Sequence, residues 1–162
     1  MTTAPDPHLT SARAVLRAAR DDMRAAIDGL PTDALNWRPT PDDTNSIAVL
    51  AIHSLTSTRH WLSVAVNEPL PSRDRDAEFE ATARKPAELL HFVDSATAVC
   101  LALVDKDRTV DWSALRDHWD PKRDLQVFAA WALLHALEHL REHVGQMSLT
   151  RQLWERRESR RD

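Results

Sequence analysis

Apolar residues recur every three to four positions in four stretches of the chain, and prolines interrupt the pattern between them. Side chains at that period share one face of a helix, so each stretch predicts an amphipathic α-helix. The first runs from about His8 to Leu30, with Leu9, Ala12, Val15, Leu16, Met23 and Ile27 on its apolar face. Asp6-Pro7 supplies a capping oxygen and a first-turn proline, and Gly29 with Pro31 stops it. Pro31 to Thr44 contains three prolines and reads as a loop with one helical turn near Thr32 to Leu35. A second helix opens at the capping pair Asn45-Ser46 and runs to about Asn67, before Pro69 and Pro71. The charged connection Ser72 to Arg84 holds a turn at Asp76 to Ala81. A third helix spans about Pro86 to Val104 through Leu89, Leu90, Phe92, Val93, Ala96, Val99 and Leu103. Asp105 to Arg123, with Trp112, His118, Trp119 and Pro121, reads as irregular, and the fourth helix as Asp124 to at least Trp154.

Four such helices predict an all-α fold, a four-helix bundle with long irregular connections, forming one domain over residues 1–162. Only two glycines occur in 162 residues, too few for the tight turns of an all-β protein. The net charge of −4, with both signs interspersed, offers no field to gather nucleic acid or anionic lipid. Arg156, Arg157, Arg160 and Arg161 read as a tail that frays from about residue 156. No apolar run is long enough to suggest a membrane span, no signal peptide is visible, and a single cysteine fits a reducing, cytoplasmic setting. That cysteine, Cys100, sits among apolar neighbours and reads as a core residue.

Candidate chemistry lies in the eight histidines. His135, His139 and His143 are spaced four apart on the predicted fourth helix, so neighbouring rings share a face. Two imidazoles at i and i+4 can converge on one cation. His135 and His143 stand about 12 Å apart along the axis, so all three cannot. A further ligand must come from another helix, and His53 is the natural source, on a stripe with Ser46, Leu50 and Ser57. His53 reads equally well as a core histidine satisfied by a carbonyl or a carboxylate. His60 faces the same way as His53, about 10 Å further along, as pocket lining or surface. Gln146, one turn beyond His143, could bond a metal-bound water, and Gly145 could admit a neighbouring helix. His118-Trp119 reads as a lid or a satellite cluster, and Trp37, Trp61 and Trp131 as core or pocket wall.

Three segments together resemble the DinB-like (YfiT-type) metal-binding superfamily: Leu35-Asn36-Trp37-Arg38-Pro39, Asn45-Ser46-Ile47-xx-Leu50-xx-His53, and His139-xxx-His143-Val144-Gly145-Gln146. Leu149 to Trp154 resembles the tail of one branch. The resemblance implies one divalent metal ion held by His53, His139 and His143, with zinc, nickel or iron compatible with imidazole ligands. His135 falls outside the usual triad and is read, with His60, Trp61 and Gln146, as pocket or supporting shell; its exchange for His139 is the alternative. The family often has arginine where Val144 stands.

Members of this superfamily include thiol-dependent transferases and isomerases. The resemblance therefore implies a metal-dependent thiol S-transferase or isomerase acting on a small-molecule substrate, with a low-molecular-weight thiol such as mycothiol as cosubstrate, and a homodimer. Arginine far outnumbers lysine, a composition common where mycothiol is made. A metal- or ligand-binding bundle without chemistry, in a stress-related role, is the alternative, and a metal-free bundle with structural histidines is a third. His135 to His139 and His139 to His143 also match the inverted zinc-protease pattern H-x-x-E-H. Such proteases need a distant downstream carboxylate ligand, and only nineteen residues follow His143.

Overall fold

The computed structural model describes residues 5–105, 109–118 and 126–160. Among these, four long helices carry the fold: α1 (Pro7–Ile27), α3 (Ile47–Val66), α5 (Pro86–Asp105) and α6 (Ala129–Glu158). Two single-turn helices, α2 (Thr32–Asn36) and α4 (Arg75–Phe79), sit in the connections, and β1 (Leu115–Asp117) pairs antiparallel with β2 (Gln126–Phe128). The helices pack in the cyclic order α1–α5–α3–α6, which leaves α1 diagonal to α3 and α5 diagonal to α6. The fold is the expected all-α bundle.

Local chemistry sets the helix ends. The Asp6 carboxylate accepts from the amides of His8 (2.8 Å) and Leu9 (3.3 Å), and Pro7 occupies the first turn of α1. Past its last turn, Gly29 takes the left-handed φ of 74° that other residues avoid. Ser46 Oγ accepts from the Val49 amide at the start of α3, and Asn67, in the left-handed region, closes that helix. α3 is buried nearly all round, as a helix pressed between α5 and α6 must be. The core is aliphatic: Leu16 and Met23 from α1, Leu55 and Leu62 from α3, Val93 and Val104 from α5, and Leu140 and Met147 from α6 are all fully buried. Cys100 joins them, its thiol pushed up to about 12 by burial, which makes it inert as a nucleophile at neutral pH.

Three expectations need correction. α6 begins at Ala129 rather than near Asp124, because residues 126–128 pair as a strand with 115–117 from the stretch expected to be irregular. Alternation in Leu115-Arg116-Asp117 and Gln126-Val127-Phe128 spans only three residues each, too short for periodicity to reveal. In the tail expected to fray from about residue 156, α6 continues to Glu158, and the Arg157 guanidinium lies over Trp37 (5.5 Å) and Trp154 (5.1 Å). Finally, α5 is long and apolar enough, by length and composition alone, to cross a membrane. It packs instead along α1 and α3 through Leu89, Val93, Thr97, Cys100 and Val104. Trp119, Pro121 and the expected start of the fourth helix at Asp124 lie outside the described residues.

Replacing Leu16, 1% exposed in the core, with alanine is predicted to lower the unfolding free energy by about 2–5 kcal/mol. The same change at Leu134, 65% exposed, shifts it by no more than about 0.5 kcal/mol. Urea unfolding followed by circular dichroism measures both; equal losses at the two positions would contradict the described packing.

Candidate metal centre

α3 and α6 lie side by side, and their shared seam carries the histidines. His53 stands in the middle of α3, one turn before Ser57 and one turn after Val49, and is only 5% exposed. His139 and His143, one turn apart on α6, are half-buried opposite it. Ring centroids of His53 lie 5.1 Å from His139 and 5.2 Å from His143, and the two α6 rings are 4.4 Å apart. One ligand nitrogen from each of the three falls within 4.8 Å of the others, a group that could hold a metal ion. Nε2 of His139 lies 3.2 Å from Nε2 of His143. Two nitrogens bound tetrahedrally at about 2.0–2.1 Å from one ion would stand about 3.3 Å apart, so this pair already has the spacing of two ligands on one cation.

Hydrogen bonds decide which nitrogens are available. Nδ1 of His53 is 2.8 Å from Oε2 of Glu78, and Nδ1 of His143 is 2.7 Å from the amide oxygen of Gln146. Both oxygens can only accept, so both Nδ1 atoms carry the proton and both Nε2 atoms keep a lone pair. His139 differs: its Nδ1 is buried without a hydrogen-bond partner. Its own Nε2 faces that of His143, where two lone pairs would repel unless a proton or a cation stood between them. The donor set therefore fits a metal on its geometry alone.

His139 and His143 are held in the neutral form that coordinates. Burial pushes His139 down to about 3, reinforced by the positive charge that His143, His53 and His135 would add on protonation. His143 is lowered too, chiefly by burial, with the Gln146 bond pulling the other way. Burial raises the Glu78 carboxyl, yet hydrogen bonds from Arg73 and His53 outweigh it and hold Glu78 below the usual carboxylate range. Arg73 grips Glu78 with both arms of its guanidinium, Nε to Oε1 at 2.7 Å and Nη2 to Oε2 at 2.8 Å.

A second tier of rings adjoins the triad along the same seam. Trp61 lies 4.7 Å from His118, 5.3 Å from Trp131 and 4.9 Å from His135. His135 stacks on Trp131, which is 46% exposed, and its centroid is 5.7 Å from His139. His135 is thus beside the triad and outside the grouped ligands, while His139 occupies the position expected of it. His60 is buried against Trp61 at 5.5 Å with its Nδ1 unpartnered, and burial, aided by Arg73 and His118, pushes it down to about 4. Trp37 stands apart from this wall and packs edge-on against Trp154.

Other expectations move. Gln146 bonds His143 itself instead of standing ready for a metal-bound water, because one helical turn brings its amide to the ring nitrogen. Gly145 is exposed, and among the described residues nothing lies within 4 Å of where a Cβ would be, so no described helix approaches it. Glu138 and Glu142 of the protease-like pattern are both exposed, and Glu142 accepts from Gln146 at 3.3 Å. Val144, where arginine is common in the resembled family, is buried in the core. Glu78 and Arg73 were not singled out from the sequence. They lie among six charged residues between positions 73 and 80, and nothing in their spacing marks which one turns inward.

The metal-free protein is predicted to lose stability as pH falls from about 6.5 to 4. Over that window the unfolded chain takes up protons that folded His60 and His139 refuse. Replacing His60 with glutamine flattens part of this slope in urea titrations at stepped pH. An unchanged slope would show that His60 titrates normally in the folded state.

A family model described as the DinB superfamily matches residues 15–147. A solved structure described as a conserved protein of Enterococcus faecalis superposes with a TM-score of 0.69 at 17% identity, covering 89% of this chain and 95% of that one. At that identity the likeness speaks for the fold alone. No curated protein matches the chain.

Proposed function

This chain belongs to the DinB superfamily, and we propose that it binds one divalent cation through His53, His139 and His143 and uses it to hold a small thiol as thiolate for transfer to, or isomerisation of, a small electrophilic substrate. The observation that carries this reading is the meeting of three imidazoles from two helices, with His139 and His143 nitrogens already 3.2 Å apart. Three protein ligands leave a coordination position open, which is the pattern of reactive rather than structural zinc sites.

Charge favours a thiolate as the fourth ligand. Three neutral imidazoles contribute none, and Arg73 cancels the charge of Glu78, so a bound dication would keep both positive charges in a half-buried seam. An anion offsets that best, and a coordinated thiol loses its proton near neutral pH. Thiolate attack also needs no side-chain base. Glu78 is committed to Arg73 and His53, and Glu138 and Glu142 face solvent, so among the described residues none of these three is free to act as the base of a metal hydrolase. When bound, the ion would supply electrostatic stabilisation of the sulfur anion. The chain's own residues hold the ion, keep the rings neutral and line one side with Trp61, Trp131 and His135. Zinc, nickel and iron all suit this donor set, and mycothiol is the thiol that the arginine-rich composition favours.

One observation supports a quieter role. Trp61, His118, Trp131 and His135 already pack on one another beside the triad, where a substrate would have to fit. A bundle that binds metal without chemistry needs no such space.

Protein purified without a polyhistidine tag is predicted to take up one equivalent of metal, and the His53→Ala, His143→Ala double variant none, by elemental analysis. Metal-loaded protein then conjugates a chlorinated aromatic electrophile with mycothiol, bacillithiol or glutathione. Metal uptake with neither turnover nor calorimetric heat from any thiol would leave the non-catalytic reading in its place.

A further inference from the structure

Burying a carboxylate in a connection made mostly of exposed residues is costly unless it is fully paired. Of the charged side chains between positions 73 and 80, only Glu78 is buried, at 5% exposure. Its oxygens are already taken: Oε1 by Nε of Arg73, and Oε2 by Nη2 of Arg73 and Nδ1 of His53. Such a carboxylate is poorly placed to be a ligand itself. What it does is fix the proton of His53 on Nδ1 and aim Nε2 at the seam.

Building on the metal-binding reading above, we propose that Glu78, clamped by Arg73, is the positioning residue for metal capture, and that the Leu35–Pro39 segment serves the metal centre by pinning the strap that carries it. Anchored metal-ligating histidines commonly donate their second nitrogen to a carboxylate, which orients the ring and raises its basicity. The three rings are unequally anchored here. His53 has a buried, charge-assisted partner, His143 has a neutral and exposed amide, and the Nδ1 of His139 has none. His53 is thus the fixed point on which the two α6 rings close.

The strap is held from α2 and the residues just after it. Asn36 mimics a strand partner, its Nδ2 donating to the Ala83 carbonyl and its Oδ1 accepting from the Ala83 amide, both at 2.8 Å. Arg38 donates to the Phe79 carbonyl at 3.1 Å. Asp74 caps α4 at the Ala77 amide, and the Phe79 ring lies 4.6 Å from that of His53. None of Asn36, Arg38 or Asp74 is among the grouped ligands, yet together they fix the backbone on both sides of Glu78.

The test compares tag-free wild type, Glu78→Gln and Asn36→Ala as full chains, with zinc affinity read by competition against a chromophoric chelator. Metal-free melts report the fold, and imidazole 15N shifts report the tautomer of His53. Glu78→Gln is expected to weaken zinc binding about 10–100-fold and to release His53 into mixed tautomers; Asn36→Ala weakens it several-fold. Wild-type binding with a folded Glu78→Gln within twofold of it would overturn this proposal alone, while a wild type that takes no zinc overturns the metal-binding reading and this proposal with it. Should Glu78→Gln not fold, Asn36→Ala decides: folded with weaker binding supports the proposal, folded with unchanged binding overturns it.

Discussion

Imidazole nitrogen is a polar group, and a seam between two bundle helices is a place where polarity is normally excluded. In this protein the α3–α6 contact gives that place to His53, His139 and His143 and leaves Nδ1 of His139 without a hydrogen-bond partner. A buried polar atom without a partner costs free energy that leucine at the same position would not. The desolvation that depresses His139 also leaves its ring uncharged, with its Nε2 only 3.2 Å from that of His143. Those features become an advantage once a cation enters, since each lone pair then has a strong acceptor. Bundle stability is thus set by the aliphatic layers above and below, and the seam is left for binding.

Around that seam the short elements have a division of labour. α1 and α5 complete the bundle and supply much of its core. α2 and the strap through α4 bring a single buried carboxylate to α3. The β1–β2 pair leads directly into α6, and His118, just past β1, lies against Trp61 and closes the aromatic tier. Chemistry, orientation and enclosure thus come from different parts of the chain and meet at one level of the bundle.

The bundle was legible in the sequence because it rests on helical periodicity, whereas the choice of His53, His139 and His143 as a set came from the resemblance to the DinB-like superfamily. Spacing alone put neighbouring rings of His135, His139 and His143 on one face of α6 and left His53 open between ligand and core residue. The hairpin was not legible, since three-residue strands carry too little alternation to separate from a loop. Glu78 was hidden for another reason: a buried carboxylate is recognised by its partners, and Arg73 and His53 become its partners only after the strap folds back on α3. The bonding of Gln146 to His143 followed the i, i+3 rule, and the purpose assigned to it from sequence was the part that changed.

The central claim is that nitrogen atoms from residues on two helices share one cation. X-ray absorption fine structure on zinc- or cobalt-loaded, tag-free protein tests it most directly. The account predicts a first shell with about three imidazole nitrogens at about 2.0–2.1 Å, with the outer-shell scattering characteristic of the rings. A shell of oxygen atoms alone, without imidazole scattering, would contradict it.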